Sequence, residues 1–205
     1  CTIDTLINIT QCDPMTIDAT TLDYSGFGVS CFGEDDGGID LTIGGGVIDS
    51  YTYSWTALDL LGNTINLGTQ ASNPDLNNLI AGSYAVVATD ANGCTIDTLI
   101  NITQPDTEII VTQNYSDYNG FGVECYNDTN GSIEIGLSGG TEVFTYTWSA
   151  IDPDGNPIDM SMWEDQLILS DLAAGDYTLA VEDENNCPIN VIIPLETPTP
   201  ITIDA

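Results

Sequence analysis

The 205-residue chain contains no lysine, no arginine and no histidine, against 32 aspartates and glutamates. In an ordinary soluble domain about a quarter of the residues are charged, with both signs present. The absence of cations removes the usual partner groups for phosphate and nucleic acid. The absence of imidazole removes the base of a Ser-His or Cys-His pair, and the absence of lysine removes Schiff-base chemistry. No apolar run approaches the roughly 18 residues of a membrane span, and no signal peptide is visible. What remains is carboxylates, amides, hydroxyls and thiols, on a formal net charge of -32 that favours solubility and repels anionic surfaces. The chain is nonetheless 42% hydrophobic, with three Trp and nine Tyr, which separates it from disordered acidic sequences and supplies material for cores.

The dominant pattern is an internal repeat. Residues 1–11, CTIDTLINITQ, recur without change at 94–104, an offset of 93. At that offset Trp55 falls on Trp148, Tyr84 on Tyr177 and Cys94 on Cys187, whereas Cys31 falls on Cys125 with one residue more. The extra residue is absorbed between Gly46 and Tyr51. The repeat predicts two whole modules, 14–105 and 106–197. Residues 1–13 read as the last strand of a preceding module and 198–205 as the first strand of a following one, so the chain reads as a segment of something longer.

Within a module the apolar period is two, the signature of strands. Ile39, Leu41 and Ile43 form one such set, and Tyr51, Tyr53 and Trp55 a second. Tyr84, Val86 and Ala88 form a third, and Ile96, Thr98, Ile100 and Ile102 a fourth. Glycine-rich turns separate them, and no helical stripe is present. About seven strands in some 90 residues predict an all-β chain of tandem immunoglobulin-like β-sandwich modules of about 93 residues. Trp55 and Trp148 fit core positions on the third strand. The pattern Leu-x-Ala-Gly-x-Tyr before Tyr84 and Tyr177 fits a tyrosine corner.

Equal placement of cysteines in both modules predicts one disulfide in each, Cys31–Cys94 and Cys125–Cys187, worth about 4 kcal/mol by loop entropy and implying export to an oxidising environment. Cys1 is the equivalent of Cys94, so its partner is expected upstream. Bonding of Cys1 to Cys12 is disfavoured, because a strand would hold them roughly 35 Å apart. Cys12 reads either as a free thiol or as a link between modules or chains.

Several features together resemble a known family. They are Asn130-Gly131-Ser132-Ile133 after a cysteine, Gly139-Gly140-Thr141, Tyr51-Thr52-Tyr53-Ser54-Trp55, Ala81-Gly82-Ser83-Tyr84, Asp90-Ala91-Asn92-Gly93-Cys94 and Ile102-Thr103-Gln104-Pro105. The combination resembles the SprB-type repeat of giant cell-surface adhesins in gliding Bacteroidota. Module two departs from it at Asn185-Asn186-Cys187 and at Ile193-Pro194. Both modules are also long between Trp and the Leu-x-Ala-Gly motif. The resemblance implies export, display in tandem arrays on the cell surface, and a setting of adhesion or gliding.

Candidate sites follow from the predicted disulfides, which would set Glu34, Asp35 and Asp36 beside Asp90 and Asn92. In module two they would set Asn127, Asp128 and Asn130 beside Asp183 and Asn185. Such oxygen clusters could hold calcium, which takes six to eight ligands, although turn geometry alone also selects Asp and Asn. The run Asp152-Pro-Asp154-Gly-Asn156 is read as a hairpin turn. Thr5 and Thr98, in Asp-Thr-Leu, resemble a short O-glycan acceptor sequence. Trp163, in an insert without a tryptophan in module one, is either insert core or a ligand contact. No catalytic residues are assigned. Expected partners are neighbouring modules of the same chain, other chains of a fibre or surface glycans, with neither nucleic acid nor membrane insertion. The function read from the sequence is a stalk or filament segment of an exported, extracellular adhesin. Its alternatives are a glycan- or partner-binding module and a non-catalytic appendage of a secreted hydrolase.

Overall fold

The computed structural model describes residues 11–47 and 50–203. The chain divides into two compact units, Cys1–Gln104 and Pro105–Ala205. Strands dominate both. In unit 1 they are β1 (Met15–Thr21), β2 (Gly37–Gly45), β3 (Thr52–Asp59), β4 (Thr64–Ile65), β5 (Leu76–Leu79), β6 (Gly82–Thr89) and β7 (Thr95–Ile102), with a short 3-10 turn at Gly68–Ser72. Unit 2 repeats the series as β8 (Ile110–Tyr115), β9 (Gly131–Ser138), β10 (Thr145–Ile151), β11 (Pro157–Ile158), β12 (Ile168–Leu172), β13 (Gly175–Glu182) and β14 (Pro188–Leu195).

Each unit is a sandwich of a three-stranded and a four-stranded antiparallel sheet. The orders are β1-β2-β5 and β4-β3-β6-β7 in unit 1, and β12-β9-β8 and β11-β10-β13-β14 in unit 2. This all-β, immunoglobulin-like architecture is the one that the period-two alternation predicts. One side of each strand is apolar and must be covered, and the second sheet covers it. Ile39 and Leu41 from one sheet meet Trp55, Ala57, Tyr84 and Val86 from the other in a single buried cluster. The indole N–H groups stay satisfied inside: Trp55 Nε1 donates to Asn73 O at 2.9 Å and Trp148 Nε1 to Gln166 O at 2.9 Å. Both tyrosine corners form, Tyr84 Oη donating to Ile80 O at 2.8 Å and Tyr177 Oη to Ala173 O at 2.8 Å.

The register defines two ends for each sandwich. In unit 1, β1 starts opposite the end of β2, Met15 facing Gly45. The β6–β7 hairpin turns at that same end, because Asp90 follows Thr89, which pairs with Thr52 and Thr95. This is the entry end. The loop 22–36 lies at the other end, where Gly28 N donates to Thr103 O at 2.9 Å just after β7. This is the exit end. Unit 2 has the same two ends, with Gly140 N bonded to Thr107 O at entry and Gly122 N to Glu196 O at exit. Residues 198–203, expected as an opening strand, lie in no strand. The preceding strand expected at 1–13 falls, up to residue 10, outside the described residues.

Candidate functional site

Two buried aspartates stand at the entry ends, Asp90 and Asp183, 6% and 3% exposed. Each sits at the start of its hairpin turn. Asp90 Oδ1 accepts from the backbone N–H of Asn92 and of Cys94, both at 2.9 Å, while Oδ2 accepts from Val47 N at 3.0 Å. Asp183 does the same with Asn185 N, Cys187 N and Thr141 N, each at 3.0 Å. One carboxylate therefore closes the hairpin and ties it to the loop after β2 or β9. The N–H donors aimed at Asp90, that of Val47 foremost and then that of Cys94, hold its pKa below the usual carboxylate range against the opposing effect of desolvation. Glycine is required beside the tie: Gly140 has φ +56°, and a Cβ there would meet Asp183 Oδ2 at 2.6 Å.

The turn between the third and fourth strands uses the same device. Asp59 Oδ1 accepts from Leu61 N and Asn63 N, and Asp152 Oδ1 from Asp154 N and Asn156 N. In both turns the asparagine amide adds a bond to the aspartate, and this is the first cause of the lowered pKa of Asp59 and of Asp152. The run 152–156 is thus a hairpin turn. At all four turns an aspartate takes N–H groups two and four residues on, and a glycine or Asn186 holds positive φ three residues on. Asn186, at φ 63°, replaces Gly93, at φ 84°, because asparagine tolerates the left-handed region. This fixed spacing is the sequence signal that singles these aspartates out.

The exit end is closed by the stretch Phe-Gly-Val. Gly28 and Gly122 approach the end of the last strand too closely for a side chain, a Cβ meeting Ile102 Cγ2 at 2.9 Å and Leu195 Cα at 2.6 Å. The next residues, Val29 and Val123, are fully buried. Asp36 Oδ1 then accepts from Ser30 N at 2.9 Å, and Asn130 Oδ1 from Glu124 N at 3.1 Å.

The family model described as SprB repeat matches residues 29–60 and 123–153, which run from the buried valine through the second strand to the end of the third. Each unit thus contains one segment that matches the SprB repeat. No curated protein sequence matches it. Among solved structures it is similar to the three N-terminal domains of the bacteriophage RB49 Highly Immunogenic Outer Capsid protein (Hoc), at 16% identity and a TM-score of 0.42. That alignment covers 90% of this chain and 59% of the capsid chain.

Within the two units the expected disulfides are not the ones formed. Cys94 pairs with Cys12, their Cα atoms 6.0 Å apart. Cys31–Cys94 fails because Cys31 lies at the exit end and Cys94 at the entry end. β2 alone, nine residues long, holds such ends roughly 30 Å apart. Cys125–Cys187 fails for the same reason, and Cys125 is an exposed free thiol. Its pKa is raised, first by the charge of Asp128. Cys31 and Cys187 are disulfide-bonded. Cys12, expected as free or external, is bonded within unit 1, and Cys1 lies outside the described residues.

The proposed calcium clusters separate with the disulfides that were to assemble them. Glu34, Asp35 and Asp36 are at the exit end, whereas Asp90 and Asn92 are at the entry end. Asn127 and Asp128 are likewise remote from Asp183 and Asn185. No group of three or more acidic or thiol ligands fit to hold a metal occurs among the described residues. Thr98 lies on the inward side of β7 with Ile96, Ile100 and Ile102 and is half-buried. Thr5 lies outside the described residues. Trp163 is half-buried in a turn that follows buried Met160, whose carbonyl accepts its N–H at 2.9 Å. Among the described residues no helix is long and apolar enough to cross a membrane.

Proposed function

We propose that the chain is a structural stalk or filament segment of an exported, repeat-rich cell-surface adhesin. The observation that carries this reading is the odd number of strands per unit among the described residues. Seven traverses bring the chain in at one end of each sandwich and out at the other, Met15 to Ile102 and Ile110 to Leu195. Each module therefore advances the path of the chain by about the length of a strand, roughly 27 Å for eight residues. Both ends are held by the same backbone ties in both units, so the buried aspartates Asp90 and Asp183 serve shape. The Cys12–Cys94 bridge fits an oxidising, extracellular location. Without lysine or arginine the chain offers trypsin no cleavage site. Electron microscopy of the full-length secreted protein tests the reading. Thin filaments with a regular module spacing support it, and compact particles built around another domain would sink it.

A second reading, a glycan-binding module, is favoured by a cleft of about 400 Å³ at the exit end of unit 2, lined by Gln113, Asn114, Tyr115, Asp117, Phe121 and Glu196. Tyr115 and Phe121 are 43% and 39% exposed. Exposed aromatics with convergent amides and carboxylates suit a neutral sugar, and the net charge of the chain disfavours an anionic one. A glycan array probed with the full chain and with Tyr115→Ala tests it. Signal lost in the variant supports the reading, and an empty array removes it.

A further inference from the structure

Cys12 stands where the chain enters unit 1, and Cys94 stands immediately before the last strand. The bond between them spans a sequence separation of 82. It encloses β1 to β6 and leaves β7, alone among the described strands of unit 1, outside the loop. We propose that Cys12–Cys94 is a tension bypass. A pull delivered through Gln11 and taken off at Gln104 crosses the two sulfurs and runs along β7, and the six enclosed strands carry none of it.

The geometry makes this path short and stiff. From Cys94 to Gln104 the chain is already extended, at roughly 3.3 Å per residue against a ceiling of about 3.6 Å, so it can lengthen by only a few ångströms. Both points of loading sit on the same strand. The ladder of β7 to β6, from Gly82 facing Ile102 to Thr89 facing Thr95, therefore need not break for tension to pass. Without the bridge the path would run through every strand of the unit. Pulling the sandwich apart would then release the enclosed chain, whose extended length is about 270–295 Å for a separation of 82. The folded separation at the bridge is only 6.0 Å. Pro105 stands in the connector of unit 2 where Cys12 stands in that of unit 1, so the proposal concerns unit 1 alone.

The inference rests on the stalk reading for its purpose but not for its test. The full chain, carrying Cys31→Ser and Cys187→Ser so that other bridges do not contribute, is held by handles at its two ends and stretched singly. In the oxidised protein we expect no length release from unit 1. Adding Cys12→Ser should produce one further step of about 280 Å at matched loading. Should that variant not fold, the oxidised parent is held at constant force and a small thiol is added. The thiolate attacks one sulfur, a mixed disulfide forms, and the other sulfur leaves as thiolate. The chain should then lengthen by the same step of about 280 Å, at a rate that rises with force. Unit 2 gives a step of similar size in every sample, so a second step of about 280 Å in the oxidised parent, or thiol cleavage without lengthening, overturns the bypass. Compact particles in micrographs of the secreted protein would remove the stalk while leaving this result standing, so the two failures are distinguishable.

Discussion

Replacing Tyr84 by phenylalanine removes a single oxygen from the core of unit 1. The ring is fully buried, and its hydroxyl reaches Ile80 O at 2.8 Å. An intramolecular hydrogen bond contributes about 0.5–1.5 kcal/mol net, and more when its loss strands a buried partner. Ile80 is 36% exposed, so water can take over its carbonyl, and we expect a loss of about 1 kcal/mol. For a domain of this size that lowers Tm by about 4–8 °C. Tyr177→Phe repeats the experiment in unit 2, where the acceptor Ala173 is half-buried and less easily hydrated. There the loss should be nearer 1.5 kcal/mol. Calorimetry of the full chain reads both. An alkaline arm sharpens the test, because burial pushes both tyrosines up to about 12. A folded pKa above the unfolded value of about 10 gives stability that is complete below about pH 10 and is lost as pH rises through about 12. Phenolate absorbance should show two of the nine tyrosines titrating only as the protein unfolds. A Tyr84→Phe chain that melts within about 1 °C of wild type, with an unchanged alkaline limb, would refute the corner's contribution.

Cys12→Ser opens a loop with a sequence separation of 82, for which chain entropy predicts a loss of about 4.5 kcal/mol in unit 1. Calorimetry should show the unit 1 transition falling by roughly 20–35 °C while Cys125→Ser moves nothing. Digestion at acidic residues should recover Cys12 linked to Cys94, and recovery of Cys31 linked to Cys94 would be a direct contradiction. Asp90→Asn removes the charge that three backbone N–H groups hold, and should lower the unit 1 transition by several degrees at neutral pH. The lowered pKa values of Asp59, Asp90, Asp152 and Asp159 give stability that is present above about pH 4 and is lost as pH falls through their folded values. In Asp90→Asn the acid limb of unit 1 should therefore flatten, and an unchanged limb counts against the tie. Cys125, exposed but with its thiol pKa raised first by Asp128, should alkylate slowly near neutral pH, and Asp128→Asn should speed it several-fold.

The strands were legible because burial on one side of a pleated sheet writes a period of two into the sequence, as Ile39, Leu41 and Trp55, Ala57 do. Trp55, Tyr84 and their copies were legible for a related reason, since a large ring with one polar atom has few places where both needs are met. Asp90 and Asp183 were misread. An aspartate in a turn looks like a solvent-facing ligand, and nothing in its identity says that it is buried and saturated by backbone donors. What distinguishes it is spacing, with partners two and four residues on at Asp59, Asp90, Asp152 and Asp183 alike.

Which cysteines could meet was within reach of the sequence through strand parity. In an antiparallel sandwich each strand carries the chain from one end to the other, so two loop residues share an end only when an even number of strands separates them. Between Cys31 and Cys94 lie β2 to β6, which is five strands, and the pair falls at opposite ends. Between Cys125 and Cys187 lie β9 to β13, again five. Between Cys12 and Cys94 lie β1 to β6, an even number, and these two meet. Repeat equivalence had suggested the wrong pairs because it compares modules with each other and is blind to the direction of the chain within either. The same parity dissolves the calcium clusters, since Asp36 and Asp90 are separated as Cys31 and Cys94 are. It also makes the seven-stranded module pass the chain onward from end to end, where an even number of strands would return it to its point of entry. The feature that forbids a composite site between the two loops is therefore the one that suits the repeat to a stalk.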